Sequence, residues 1–352
     1  MLKIILLSGL TMFIALIVTP GIMKLSLKID ATDKPNHRKV HTDPVPTLGG
    51  LAIFISFLIG LIILQPENSY HLPIVVGAFI IILLGFFDDL YNLSPKVKFF
   101  VQILAAVLVV YWGGLQVEFI NLPFGGKIEF GILSSIVTIL WIVGVTNAIN
   151  LIDGLDGLAA GISAIALLTI AGMAMIMGDV YVTIIALILF FSTVGFLRYN
   201  FFPAKIFMGD TGALFLGYMI SVLSLLGFKN ITFISFLTPI FILAVPISDT
   251  LIAMVRRYIN NQPITSADSS HLHHRLLKIG LSHKQAVIYL YVLSGLFSLA
   301  AILFSMTTIW GSIIIILTSL IVLQLLIESL ELIKSDYKPL TNFVRNFRGR
   351  SS

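Results

Sequence analysis

The sequence predicts an all-α, polytopic integral membrane protein on three observations. Of its 352 residues 58% are hydrophobic, only 11% are charged, and apolar runs long enough to cross a bilayer recur along the whole chain. A mean hydropathy of +1.03 lies far above that of soluble domains. Cysteine is absent, which excludes disulfides, thiolate metal sites and a cysteine nucleophile and leaves the redox compartment open.

Runs of about 17 to 25 apolar residues, each able to cover roughly 30 Å of hydrocarbon, give about eleven spans. They centre near residues 13, 56, 80, 107, 140, 168, 189, 219, 245, 295 and 320. The first runs apolar from Lys3 to Val18 without a small-residue cleavage site and leads into further spans, so it reads as a retained helix. The third and eighth are interrupted by glycine. Ser94 followed by Pro95 reads as the N-cap and first residue of the fourth. The fifth ends in NAINLIDGLDGLAAG, where a spacing of three would keep Asn147, Asn150, Asp153 and Asp156 on a slowly drifting helical face. Gly157, Ala160 and Gly161 then offer a small-residue face to another helix. Gly209 and Gly212 flank Asp210, which would sit at the start of the eighth span beside the positive end of its dipole. The ninth span contains Asp249, for which a paired, buried carboxylate is expected.

All 22 lysines and arginines except Lys3, Lys127 and Lys229 fall in alternate linkers and in the tail. By the positive-inside rule those linkers are cytoplasmic, which puts the N-terminus outside, the C-terminus inside, and agrees with an odd number of spans. The chain reads as one polytopic domain with no separate soluble unit. Its cytoplasmic loops, about 24–47, 88–98, 150–157, 198–210 and 256–285, are expected to form the active site, and 331–352 to form a tail. The net charge of +5 is spread over juxtamembrane linkers without a continuous basic face. It therefore argues for anionic lipid as a neighbour and against nucleic acid.

The acidic residues sort by side as well. Asp88, Asp89, Asp153, Asp156 and Asp210 reach the cytoplasmic boundary from three separate linkers, and carboxylates at that depth need a counter-charge. Oxygen donors without cysteine favour a hard divalent ion. Mg²⁺ typically takes one or two carboxylates together with substrate phosphates, so a phosphorylated substrate follows. Lys34, Arg38, Lys39, His41, Lys96 and Lys98 supply positive charge nearby. In HLHHR, His271, His273, His274 and Arg275 crowd donors suited to a pyrophosphate or sugar oxygen. No HExxH or spaced second pair supports zinc there. His283 lacks such company and reads as plain surface.

The segments DDLYNLSPKVKF, NAINLIDGLDGLAAG, NFFPAKIFMGDTGALFLGY and SSHLHHRL occur in that order across the chain. Together they resemble the polyprenyl-phosphate N-acetylhexosamine-1-phosphate transferases of the bacterial TagO/WecA branch. The resemblance implies transfer of GlcNAc-1-phosphate from UDP-GlcNAc to undecaprenyl phosphate, giving undecaprenyl-diphospho-GlcNAc and UMP. That reaction is the first membrane step of wall teichoic acid or related cell-envelope polysaccharide synthesis. The implied location is the bacterial cytoplasmic membrane, with the site facing the cytoplasm.

The same resemblance implies that Asp210 and Asn150 hold Mg²⁺, with Mn²⁺ an alternative. Phe207 would stack on uracil, and Asn200, Asp153, Gly154, Leu155 and Asp156 would line the nucleotide-sugar pocket. Asp88 and Asp89 would be the catalytic pair, and His271, His273, His274 and Arg275 would bind the pyrophosphate and sugar. Lys34, His41, Lys96 and Lys98 would bind the lipid phosphate. Leu272 interrupts the run of three histidines typical of the related phospho-MurNAc-pentapeptide transferases, which favours GlcNAc over that alternative donor. A lipid phosphate is mostly ionised at neutral pH, so direct attack is favoured over a general base or a covalent aspartyl intermediate. A secondary transporter, the rival from another class, is disfavoured because the polar groups gather at one set of helix ends and no internal repeat is visible. Sequence leaves the oligomeric state, including a homodimer, open.

Overall fold

The computed structural model describes residues 1–33, 44–121, 126–228, 233–263, 270–333 and 337–342. Thirteen α-helices carry the described chain: α1 (Leu2–Lys28), α2 (Gly49–Leu64), α3 (His71–Tyr91), α4 (Pro95–Val107), α5 (Leu133–Ile152), α6 (Leu158–Met177), α7 (Val180–Asn200), α8 (Gly209–Phe228), α9 (Phe233–Ile242), α10 (Ala244–Ile259), α11 (Leu272–Lys278), α12 (His283–Met306) and α13 (Ile309–Ser329). Among the described residues, nine helices are long and apolar enough to cross a membrane: α1, α3, α4 with its π-helical continuation Leu108–Trp112, α5 to α8, α12 and α13. The all-α, membrane-spanning class expected from the sequence is what the chain adopts.

Two of the expected spans differ from the rest. The second is α2, at 16 residues shorter than a full crossing. The one near 245 is broken at Leu243 into α9 and α10. Pro246 has no N–H to return to the Ile242 carbonyl, so the helical ladder cannot run unbroken through this point. Two short antiparallel pairs, β1 (Thr32–Asp33) with β2 (Val45–Pro46) and β3 (Phe119–Asn121) with β4 (Lys127–Glu129), were not expected from hydropathy.

Helix α8 is the centre of the bundle. Within its most apolar window 89% of residues are buried, and it packs on α2, α3, α5 and α6. The glycines that interrupt the third and eighth expected spans do not break α3 or α8; they let helices approach. A Cβ at Gly85 or Gly50 would run into the backbone of α8 at Thr211 and Gly212, and one at Gly77 into the Tyr218 ring. Tyr218, itself fully buried, donates its hydroxyl to the Ile74 carbonyl at 3.2 Å. At the rim, α13 exposes Trp310, Ile314, Leu317 and Leu320, an apolar surface that lipid solvates at no cost.

Candidate active site

The ends of four helices meet at one level of the bundle and bring the sequence-distant acids together. Helix α3 stops where Asn92 takes a left-handed conformation (φ 50°). Helix α4 restarts at Ser94, whose hydroxyl accepts the Val97 N–H, with Pro95 in the first turn as expected. This tight reversal lets the Asp88 carboxylate accept the Leu93 N–H at 2.8 Å and returns Lys98 towards it.

Lys98 Nζ lies 2.6 Å from Asp88 Oδ2 and 2.5 Å from Asp210 Oδ2. The other Asp210 oxygen accepts the Asn150 amide at 3.0 Å. Lys98, expected at a lipid phosphate, thus bridges one member of the acidic pair to the expected metal ligand. One of its three N–H groups is left over by these two carboxylates.

Asp89 does something different from its neighbour. Its Oδ1 accepts the Asp210 N–H at 2.9 Å, and its Oδ2 accepts the Thr211 N–H at 3.1 Å and the Thr211 hydroxyl at 2.6 Å. Gly209, at φ +68°, leaves the space: a Cβ there would collide with the Asp89 carboxylate. Asp89 is therefore an N-cap supplied to α8 from another helix, satisfying end-of-helix donors and opposing the positive dipole end. Three of the four lone-pair sites of its carboxylate are taken up in this way, so holding the start of α8 is the role that the contacts of Asp89 show.

Asp210 and Asn150 offer adjacent oxygen donors, although Asn150 presents its NH₂ to Asp210 here and would have to turn its amide over to ligate. Among the described residues no group of three or more His, Asp or Glu side chains could hold a metal ion. Two oxygen ligands plus substrate phosphates are the ordinary complement for Mg²⁺, so this donor set fits that ion and does not suit zinc.

The expected helical face through Asp153 and Asp156 does not form. Helix α5 ends at Ile152, Asp153 is non-helical (φ −76°, ψ 58°), and Gly157 takes φ +76°. Asn147 and Asn150 do lie on α5, but Asn147 pairs with Gln102 of α4 (2.5 Å) and Asn150 with Asp210. The 153–157 turn leaves Asp153 half-buried. Burial first, and then the carboxylates of Asp210, Asp89 and Asp156, push its pKa up to about 8.

Asp156 Oδ2 accepts the Ala204 N–H at 2.9 Å, tying the turn to the 201–208 loop. Asn200, 3% exposed, donates to the Ile206 carbonyl at 2.9 Å, and its own Oδ1 is buried without a partner. Phe207 is held through its backbone: its N–H donates to Pro46 and its carbonyl accepts from Gly49. His283 is not plain surface. Its Nε2 accepts the Asp156 N–H at 3.0 Å, and its ring stacks on Phe202 with centroids 4.5 Å apart. Leu155 is buried within the turn.

The HLHHR segment is anchored from inside the bundle. Asp249, on α10, accepts from His271 Nδ1 at 3.0 Å and from the Leu272 N–H at 2.8 Å, the buried pairing expected of it. The His271 and His273 rings are parallel (2°) with centroids 5.9 Å apart. His273 lies against Gly154, where a Cβ would meet its ring. Burial, then the neighbouring His274, pull the His273 pKa down to about 3, and its Nδ1 is buried without a partner. His274 is exposed and Arg275 half-buried. Lys96 is exposed on the first turn of α4. Lys34 and His41 lie outside the described residues.

Sequence reasoning missed His283, Tyr291 and Thr211, and it placed Lys98 at a phosphate without its two carboxylate partners, Asp88 and Asp210. Only Lys98 carried a signal, a charge one helical turn into α4 after the acidic pair; the others are joined to the site by contacts 122 to 134 residues apart in the chain.

Comparison with known proteins adds an independent finding. Residues 71–228 match the family model described as glycosyl transferase family 4. The chain is 47% identical, over 100% of its length and 99% of the relative, to a probable undecaprenyl-phosphate N-acetylglucosaminyl 1-phosphate transferase of Bacillus subtilis. It is 34% identical to a decaprenyl-phosphate N-acetylglucosaminephosphotransferase of Mycolicibacterium smegmatis, covering 83% of this chain and 80% of that protein. An undecaprenyl-phosphate alpha-N-acetylglucosaminyl 1-phosphate transferase of Yersinia pestis is 28% identical over 93% and 90%.

Proposed function

The chain belongs to glycosyl transferase family 4, and from that premise we propose that it transfers GlcNAc-1-phosphate from UDP-GlcNAc to undecaprenyl phosphate. An oxygen of the lipid phosphate attacks the β-phosphorus, the bond from that phosphorus to the oxygen bridging the two phosphates breaks, and UMP leaves with that oxygen. The product is undecaprenyl-diphospho-GlcNAc, a starter for wall teichoic acid or a related envelope polysaccharide. The setting is the bacterial cytoplasmic membrane with the site facing the cytoplasm, where UDP-sugars are available.

The observation that carries this reading is the Asp88, Lys98, Asp210 and Asn150 cluster, built at helix ends, with α5 leading from Asn150 into the 153–157 turn that the HLHHR segment packs against. Mg²⁺, when bound, would be held by Asp210 and Asn150 and would supply charge to the phosphates. Lys98, positioned by Asp88, turns its remaining N–H towards a phosphate oxygen and offsets negative charge that grows in the transition state. Asp89 holds the start of α8, and so Asp210, in place. Burial and the neighbouring carboxylates raise the pKa of Asp153, and in its protonated form it can donate a hydrogen bond where a carboxylate would repel phosphate. Asp156, Asn200 and Phe207 hold the nucleoside, and His271, His273, His274 and Arg275 face the pyrophosphate and sugar.

Release of UMP by the purified protein is the test. It should require both undecaprenyl phosphate and a divalent cation, and UDP-GlcNAc should serve better than UDP-GalNAc or UDP-MurNAc-pentapeptide. Equal or better turnover of UDP-MurNAc-pentapeptide would replace the proposed donor, and UMP release without lipid phosphate would remove the proposed acceptor.

A further inference from the structure

The N-terminal part of α12 grips the 153–157 turn at two peptide groups, one on each side of the Asp156–Gly157 peptide. His283 Nε2 accepts the Asp156 N–H at 3.0 Å, and the Tyr291 hydroxyl donates to the Gly157 carbonyl at 2.5 Å. Gly161 makes room for the second contact, since a Cβ there would run into the Tyr291 ring. The geometry also fixes the chemistry of the histidine. To accept an N–H, Nε2 must present its lone pair, so the ring is neutral with its proton on Nδ1. The flat face of the same ring rests on Phe202 (25° between planes), in the loop that leads to Phe207. Asp156 joins that loop to the turn through Ala204. One imidazole therefore touches both segments expected to hold the nucleoside, from a helix otherwise engaged in packing.

We propose that His283, seconded by Tyr291, is the positioning residue for the nucleotide half of the site. It acts through the Asp156 peptide and the Phe202 to Phe207 loop rather than by touching the reacting phosphates. The identity of the nucleotide rests on the transferase reading above; the clamp itself rests on the contacts just given. A ring present only for packing would, on removal, lower thermal stability and kcat together. A positioning ring changes affinity for one substrate.

The test uses the full chain, purified in detergent, with UMP release followed against each substrate and UMP binding measured by calorimetry. His283→Phe keeps an aromatic face for Phe202 and loses the acceptor; His283→Gln keeps an acceptor and loses the ring. Loss of the hydrogen bond to the half-buried Asp156 N–H should raise the KM for UDP-GlcNAc and the Kd for UMP about tenfold in His283→Phe. The KM for undecaprenyl phosphate and the melting temperature should stay near those of the wild type, and His283→Gln should recover most of the lost affinity. Unchanged UMP affinity in His283→Phe, or a parallel fall in stability and in affinity for both substrates, would overturn the proposal. A wild-type chain that binds UMP but releases none would sink the transferase reading alone. One that neither binds nor releases it would sink both.

Discussion

Lys98 and Asp210, 112 positions apart in the chain, meet at 2.5 Å, and Asp88 holds the same ammonium from the other side. Removing the ammonium would leave two carboxylates facing one another, a repulsion that substrate phosphates would worsen. Lys98→Met is expected to lower the rate of UMP release by about a hundredfold or more, the scale on which a preorganised charge acts at a phosphoryl centre. Lys98→Arg should retain part of the rate. Comparable rates for Lys98→Met and the wild type would show that this lysine does not serve the reaction.

Asp89 and Asp210 are expected to separate in their response to metal. Asp89→Ala removes the cap from α8 and should cost about 1–2 kcal/mol of stability, with a lower rate but an unchanged half-saturating Mg²⁺ concentration. Asp210→Ala should abolish Mg²⁺-stimulated turnover. A large rise in the Mg²⁺ requirement of Asp89→Ala would move that residue into the metal site.

Asp249 accepts from His271 and from the Leu272 N–H, so it sets where HLHHR begins. Asp249→Asn keeps the size of the side chain but loses the charge and one acceptor. It should raise the KM for UDP-GlcNAc by about tenfold, the worth of one charge-assisted hydrogen bond. If KM were unaltered while kcat fell, the anchor would be acting on chemistry rather than on donor binding.

His273 provides a prediction for pH. Its pKa in the folded chain, about 3, lies below the unfolded value near 6.5, so the unfolded chain binds the extra proton. Stability is therefore full above about pH 6.5 and is lost progressively as pH falls below it, by about 2 kcal/mol at pH 5. Melting temperatures of the wild type and of His273→Gln, compared at pH 7.5 and pH 5, should diverge in slope, the variant losing less. Parallel slopes would place the protonating group elsewhere.

The fold class was legible in the sequence because lipid imposes one rule on every span, sustained apolarity, which composition reports directly. Adjacency was less legible. The family motifs imply Asn150 and Asp210 at one metal ion and so near each other, which the hydrogen bond between them matches in position only; the turn at Asp153 stays hidden, because a spacing of three suits a helix and a turn equally. His283 was dismissed for want of neighbours in sequence, when its partners, Asp156 and Phe202, reach it only through the packing of α12 on α6. Glycine was ambiguous for the same reason: Gly77 and Gly85 look like interruptions until Tyr218 and Thr211 are set against them.

Helix α8 meets other helices on nearly every side, while α1 and α13 form much of the rim. A change in bilayer thickness acts on helices that touch lipid, through tilt and local stretching of the hydrocarbon. The strain should therefore fall on α1 and α13, and the Asp210 end of α8 should keep its depth relative to α3 and α5. Turnover at saturating substrate should accordingly vary little between vesicles of short-chain and long-chain lipids, so that one catalytic frame can work in membranes whose acyl composition shifts with growth conditions.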